Sequence, residues 1–109
     1  MKKLFISCPM KNRSEENIRM TFNRLHKIAE TVYGESLEVI PIYIEDNPPK
    51  CRTEELWYLG KSIELLSQAD YFIGICGDNA FQYNGCTVES DVAKLYGVPV
   101  YLVPTVFSA

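Results

Sequence analysis

The sequence predicts a parallel α/β fold, and three observations carry the prediction. Short runs rich in β-branched and aromatic residues alternate with longer segments whose apolar residues fall three and four apart. The strand-like runs are apolar almost throughout, as strands buried on both faces are. The chain has 109 residues, enough for one core of ordinary size and too few for two, so residues 1–109 are expected to form a single domain.

Four strands are expected in chain order. Leu4-Phe5-Ile6 opens the first, residues 37–43 (LEVIPIY) form the second, residues 71–76 (YFIGIC) the third and residues 100–103 (VYLV) the last. Ser14 is a good N-cap for a first helix, with Glu15 and Glu16 in the first turn and Gly34 just beyond the end. Its inward stripe is expected to be Ile18, Phe22, Leu25, Ala29 and Val32. A second helix, capped by Thr53, carries Leu56, Leu59, Ile63 and Leu66. A third carries Val88, Val92 and Leu95 before Gly97-Val98-Pro99 stops it. Right-handed crossovers place such helices on both faces of the sheet.

Composition narrows the function. Hydrophobic residues make up 47% of the chain and charged residues 23%, which is ordinary globular usage and excludes a disordered or fibrous chain. A net charge of −3 and a pI near 5.1 argue against a nucleic-acid binder, which needs an excess of Lys and Arg on one face. No apolar run approaches the roughly 20 residues that span a bilayer. Met1-Lys2-Lys3 leads directly into a strand-like run, so neither a signal peptide nor an anchor is expected. Cys8, Cys51, Cys76 and Cys86 form no C-x-x-C pair and read as reduced thiols of a cytoplasmic protein. A metal site from Cys8, Cys76, Cys86 and His26 lacks the usual zinc spacing, and no metal or cofactor is expected.

The residues that could carry chemistry follow strands. In open α/β sheets ligands sit beyond the carboxyl ends of the strands, and the one binding cleft is expected there. In Gly85-Cys86-Thr87-Val88-Glu89 a carboxylate is expected within the first turn or so of the third helix. The helix dipole and free N–H groups would favour its ionised form. Such a carboxylate can attack a sugar carbon that develops oxocarbenium character; it can equally serve only to complement the dipole. Ser7-Cys8-Pro9-Met10-Lys11-Asn12-Arg13-Ser14 sets two cations before a helix N-terminus, which suits a phosphate or a solvated basic turn. Glu45, Asp46 and Asp78 follow strands two and three and could bond ribose hydroxyls, move a proton or merely be solvated. Trp57 and Tyr58 could wall a base pocket or an oligomer contact, although core packing is the simpler reading.

Taken together, Phe5-Ile6-Ser7-Cys8-Pro9-Met10, Trp57-Tyr58-Leu59-Gly60-Lys61-Ser62, Gln68-Ala69-Asp70 and Gly85-Cys86-Thr87-Val88-Glu89 resemble nucleoside 2-deoxyribosyltransferase-like proteins, in particular the short branch of that superfamily. The resemblance runs from Lys3 to Val103 on short motifs. It implies a flavodoxin-like three-layer sandwich with strand order 2-1-3-4, a homodimer or higher homo-oligomer, and cleavage or exchange of an N-glycosidic bond in a small-molecule nucleoside or nucleotide. Glu89 falls at the place of the nucleophilic glutamate. The Ser7–Arg13 segment is similar to the one that holds a 5′-monophosphate in the N-hydrolase branch, so Lys11 and Arg13 would be phosphate ligands, within a lining of Ser7, Pro9, Met10, Asn12, Asp46, Asn84 and Gly85. The chain departs from the pattern at Phe5, where catalytic members carry tyrosine, and at Ser62, where they carry an acid. A hydroxyl cannot replace a carboxyl as proton donor at neutral pH; Asp78 is the candidate acid. Those departures favour, as the alternative, a protein that binds, senses or sequesters a nucleotide without turning it over.

Overall fold

The computed structural model describes residues 1–8, 14–41, 47–76 and 84–104. Their order is β1 (Lys2–Ser7), α1 (Glu15–Tyr33), β2 (Leu37–Val39), α2 (Glu54–Leu66), β3 (Tyr71–Cys76), α3 (Asn84–Leu95) and β4 (Val100–Pro104). The strands form one sheet in the order β2-β1-β3-β4, and every pairing is parallel. Fold class and strand order are as expected.

Local chemistry explains the helix limits. The Ser14 side chain accepts the Asn17 N–H at 3.1 Å, satisfying one of the donors that every helix start leaves open. At the other end Gly34 turns left-handed, with φ 73°, and its N–H donates to the Glu30 carbonyl at 2.9 Å; glycine takes that conformation without steric cost. Thr53 stands at the N-cap of α2, but its side chain makes no capping bond.

Alternation along β1 and β3 divides the core in two. On one face Leu4, Ile6, Cys8, Ile73, Ile75 and Val103 pack with Leu25 and Ala29 of α1. On the other Phe5 and Phe72 pack with Leu66 of α2 and Ala93 of α3. The two phenyl rings stack at 5.6 Å between centroids. A polar clasp secures edge strand β2: its first residue, Leu37, donates its N–H to Glu30 at 2.8 Å and lies 2.8 Å through its carbonyl from His26 Nε2. Tyr33 donates to the carbonyls of Phe72 and Pro99 and stacks on Tyr71.

Several expectations are corrected. The regular part of β2 ends at Val39, although the Ile40 N–H still donates to the Leu4 carbonyl; residues 42–46 lie outside the described residues. Val32 and Leu56 are exposed, because α1 turns Thr21, Leu25 and Ala29 inward and Leu56 precedes the part of α2 that reaches the sheet. The stripe of α3 is displaced further: Leu95 is 80% exposed and Val88 38%, while Glu89, Ser90 and Ala93 are buried. Small residues at 90 and 93 let the helix approach the sheet, and that approach decides which face is covered. Trp57 and Tyr58 form an edge-to-face pair on the outer side of α2, with Lys61 over the indole, rather than part of the core.

Candidate functional site

The face shared by α2 and α3 changes character toward the carboxyl ends of the strands. Phe5 and Phe72 are paired in register, and the next side chains on that face, also paired, are Ser7 and Gly74. Two bulky side chains thus give way to a hydroxyl and a hydrogen. A Cβ on Gly74 would come within 2.9 Å of the Phe72 ring and 3.4 Å of the Ser7 carbonyl, so the bare backbone is a packing requirement there. Leu102 of β4, paired with Gly74, lies 3.5 Å from that Cβ position, and Glu89 of α3 reaches the Ser7 hydroxyl.

Glu89 is 9% exposed. Ser7, itself 2% exposed, donates its hydroxyl proton to Glu89 Oε1 at 2.7 Å, and the half-buried Ser62 of α2 lies close enough to favour the ionised carboxyl. One turn earlier on α3 stands the half-buried thiol of Cys86, close enough to Ser7 and Glu89 for both to influence its titration. Residues from β1, α2 and α3 therefore converge on one carboxyl group, which makes a short hydrogen bond and no ion pair among the described residues.

Burial pushes the Glu89 carboxyl above the usual glutamate range; the Ser7 and Ser62 hydroxyls oppose that shift without cancelling it. The Cys86 thiol is also pushed up, chiefly by burial and further by the nearby Glu89 charge, with Ser7 acting in the opposite direction. This corrects the expected electrostatics. Since α3 begins at Asn84 and has no acidic residue in its first turn, Glu89 lies in the second turn, beyond the free N–H groups of the helix start. Desolvation dominates instead of the dipole.

Of the other residues expected at the site, Pro9, Met10, Lys11, Asn12, Arg13, Asp46 and Asp78 lie outside the described residues. Asn84 and Gly85 open α3. Ser7 meets Glu89, and Phe5 is buried in the ring stack. A hydroxyl nevertheless reaches the carboxyl from the same strand, one pleat further on, from Ser7. Cys86 was not expected as a neighbour of Glu89; the i, i+3 spacing on one helix is the signal that points to it. Ser62 stood out only as a departure from the family pattern.

Two surface grooves, of about 440 and 420 Å³, run along α1 and not beside Glu89: one between Lys27, Glu30, Thr31, Glu35 and Ser36, the other over Ile6, Ile18, Phe22 and Val39. The loops that would border the expected cleft at the strand ends, residues 9–13, 42–46 and 77–83, lie outside the described residues. Among the described residues no three His, Cys, Asp or Glu side chains could hold a metal ion, and no helix is long and apolar enough to cross a membrane.

No family model and no curated protein matches the chain. Among solved structures, the 2-deoxyribosyltransferase of the psychrotolerant bacterium Bacillus psychrosaccharolyticus superposes with a TM-score of 0.59, covering 94% of this chain and 72% of its own at 19% identity. The similarity establishes a shared fold.

Proposed function

We propose that the protein binds a small nucleoside or nucleotide at the carboxyl ends of its strands and cleaves or exchanges the N-glycosidic bond, with Glu89 as nucleophile. The single observation that carries this reading is a carboxyl group buried where the sheet turns from phenylalanine to serine and glycine, held by Ser7 at 2.7 Å. The solved 2-deoxyribosyltransferase of the same fold supports it.

In this mechanism ionised Glu89 forms a bond to the anomeric carbon as the C–N bond breaks. The base leaves with the bonding electrons and takes a proton, and water or a second base then releases the sugar from the carboxylate. Asp78 serves as the acid, and Lys11 and Arg13 hold a 5′-phosphate where one is present. Ser7, Pro9, Met10, Asn12, Asp46, Asn84 and Gly85 complete the lining, and neither cofactor nor metal takes part. The protein works in the cytoplasm as a homodimer or higher homo-oligomer, to which the exposed Leu95 and Tyr96 are suited; sedimentation at high concentration checks the assembly.

Incubation with a panel of 2′-deoxynucleosides and their monophosphates, read by mass spectrometry, tests the chemistry. Free base in excess over protein is expected, falling on the order of a thousandfold or more in Glu89→Gln. Unchanged turnover in that variant rules out the mechanism. A second reading, a nucleotide-binding, sensing or sequestering protein, is favoured by Ser62, a hydroxyl where catalytic relatives carry an acid. It expects the same panel to be recovered intact while one member raises the melting temperature.

A further inference from the structure

The backbone of β2 offers its polar groups alternately to the two sides of the strand. Ile40 donates its N–H to the Leu4 carbonyl of β1, so in a parallel ladder Glu38 turns the same way, while Leu37 and Val39 turn theirs to the open side of the sheet. Such an outward row is a template on which any further extended chain can pair. At Leu37 both groups are taken. Its N–H donates to Glu30 Oε2 at 2.8 Å, and its carbonyl accepts from His26 Nε2 at 2.8 Å; a carbonyl only accepts, so Nε2 carries a proton. His26 and Glu30 stand four apart on one face of α1, with the same two atoms 3.3 Å from each other.

We infer that the His26–Glu30 pair guards this edge: by occupying both outward backbone groups of Leu37 it keeps a strand of a second copy of the chain from pairing with β2. Three features suit that task better than simple anchoring. The Leu37 side chain is 2% exposed and packs in the core against α1, so the strand is already held by apolar contact. Both guarding side chains are about a third exposed and stand where an incoming strand would arrive; the carboxylate among them is a charge that such a strand would have to desolvate. The regular part of β2 is three residues long, so closing Leu37 leaves Val39 as its one outward residue, too little for a second strand to register on. Copies of the chain therefore assemble through a surface other than this edge.

Sedimentation velocity over a range of protein concentrations tests the guard. The double variant His26→Ala/Glu30→Ala is expected to form species larger than those of the wild type. Adding Val39→Pro, which removes the other outward N–H without touching a bond to β1, is expected to restore the wild-type distribution. Tyr33→Phe controls for lost stability: it removes the hydroxyl that bonds the Phe72 and Pro99 carbonyls, leaves the edge closed and is expected to sediment as the wild type does. Glu30→Ala alone, the milder change, is expected to quicken hydrogen exchange at the Leu37 amide roughly tenfold, and Glu30→Gln, which keeps an acceptor, to leave it near the wild-type rate. A double variant that sediments as the wild type does, association that Val39→Pro fails to reverse, equal association in Tyr33→Phe, or unchanged exchange at Leu37 in Glu30→Ala each overturns the inference.

Discussion

The two faces of the sheet are built from the same strands and end differently. Toward α1 the alternating positions stay apolar to the last turn of strand: Leu4, Ile6 and Cys8 from β1, Ile73 and Ile75 from β3. Toward α2 and α3 they pass from Phe5 and Phe72 to Ser7 and Gly74 within one pleat. The first face is all core. The second is core at one end and at the other, beside Leu102, holds a buried carboxyl that the Ser7 hydroxyl bonds. The comparison teaches that a site can be made in a parallel sheet by shortening side chains on one face, with the opposite face left to supply stability.

Moving a serine to the other face breaks the contrast with the largest effect. Ile6→Ser sets a hydroxyl among apolar neighbours and removes a fully buried side chain; a loss of about 3–5 kcal/mol is expected in denaturant unfolding. A loss under about 1 kcal/mol would mean that the α1 face tolerates polarity too. Crowding the Ser7 end comes next. Gly74→Ala forces its methyl group against Phe72 and the Ser7 carbonyl, with an expected cost of about 1–3 kcal/mol and a displaced Ser7. Weakened ligand binding beyond the loss of stability would show that the displacement reaches Glu89.

The smallest effect is a slope. Burial makes folded Glu89 hold its proton more tightly than the unfolded chain does. The stability it contributes is therefore complete below the ordinary glutamate range and is lost as pH rises through the raised folded value. Glu89→Gln should flatten that decline and raise the melting temperature near neutral pH. Parallel stability–pH curves for the two proteins would place Glu89 in water, not in the protein interior.

Much of this was legible in advance. Strand positions, the Ser14 and Gly34 ends of α1 and the strand order needed only period, capping chemistry and family resemblance, since each depends on neighbours in the chain. Glu89 was singled out for the wrong electrostatic reason: the start of α3 could not be located by pattern to within a turn, and one turn separates free N–H groups from satisfied ones. The stripe Val88, Val92 and Leu95 misled because apolar periodicity reports which residues avoid water on average. Close approach to a sheet instead selects the small residues Ser90 and Ala93.

From the residues alone came one parallel α/β domain and a glutamate worth testing, because hydrophobic period and turn chemistry are properties of short stretches of chain. Tertiary structure alone decided that Ser7, Ser62 and Cys86 surround that glutamate and that its proton is held by burial. Desolvation depends on groups as far as 82 positions apart in the chain, and no local pattern encodes it.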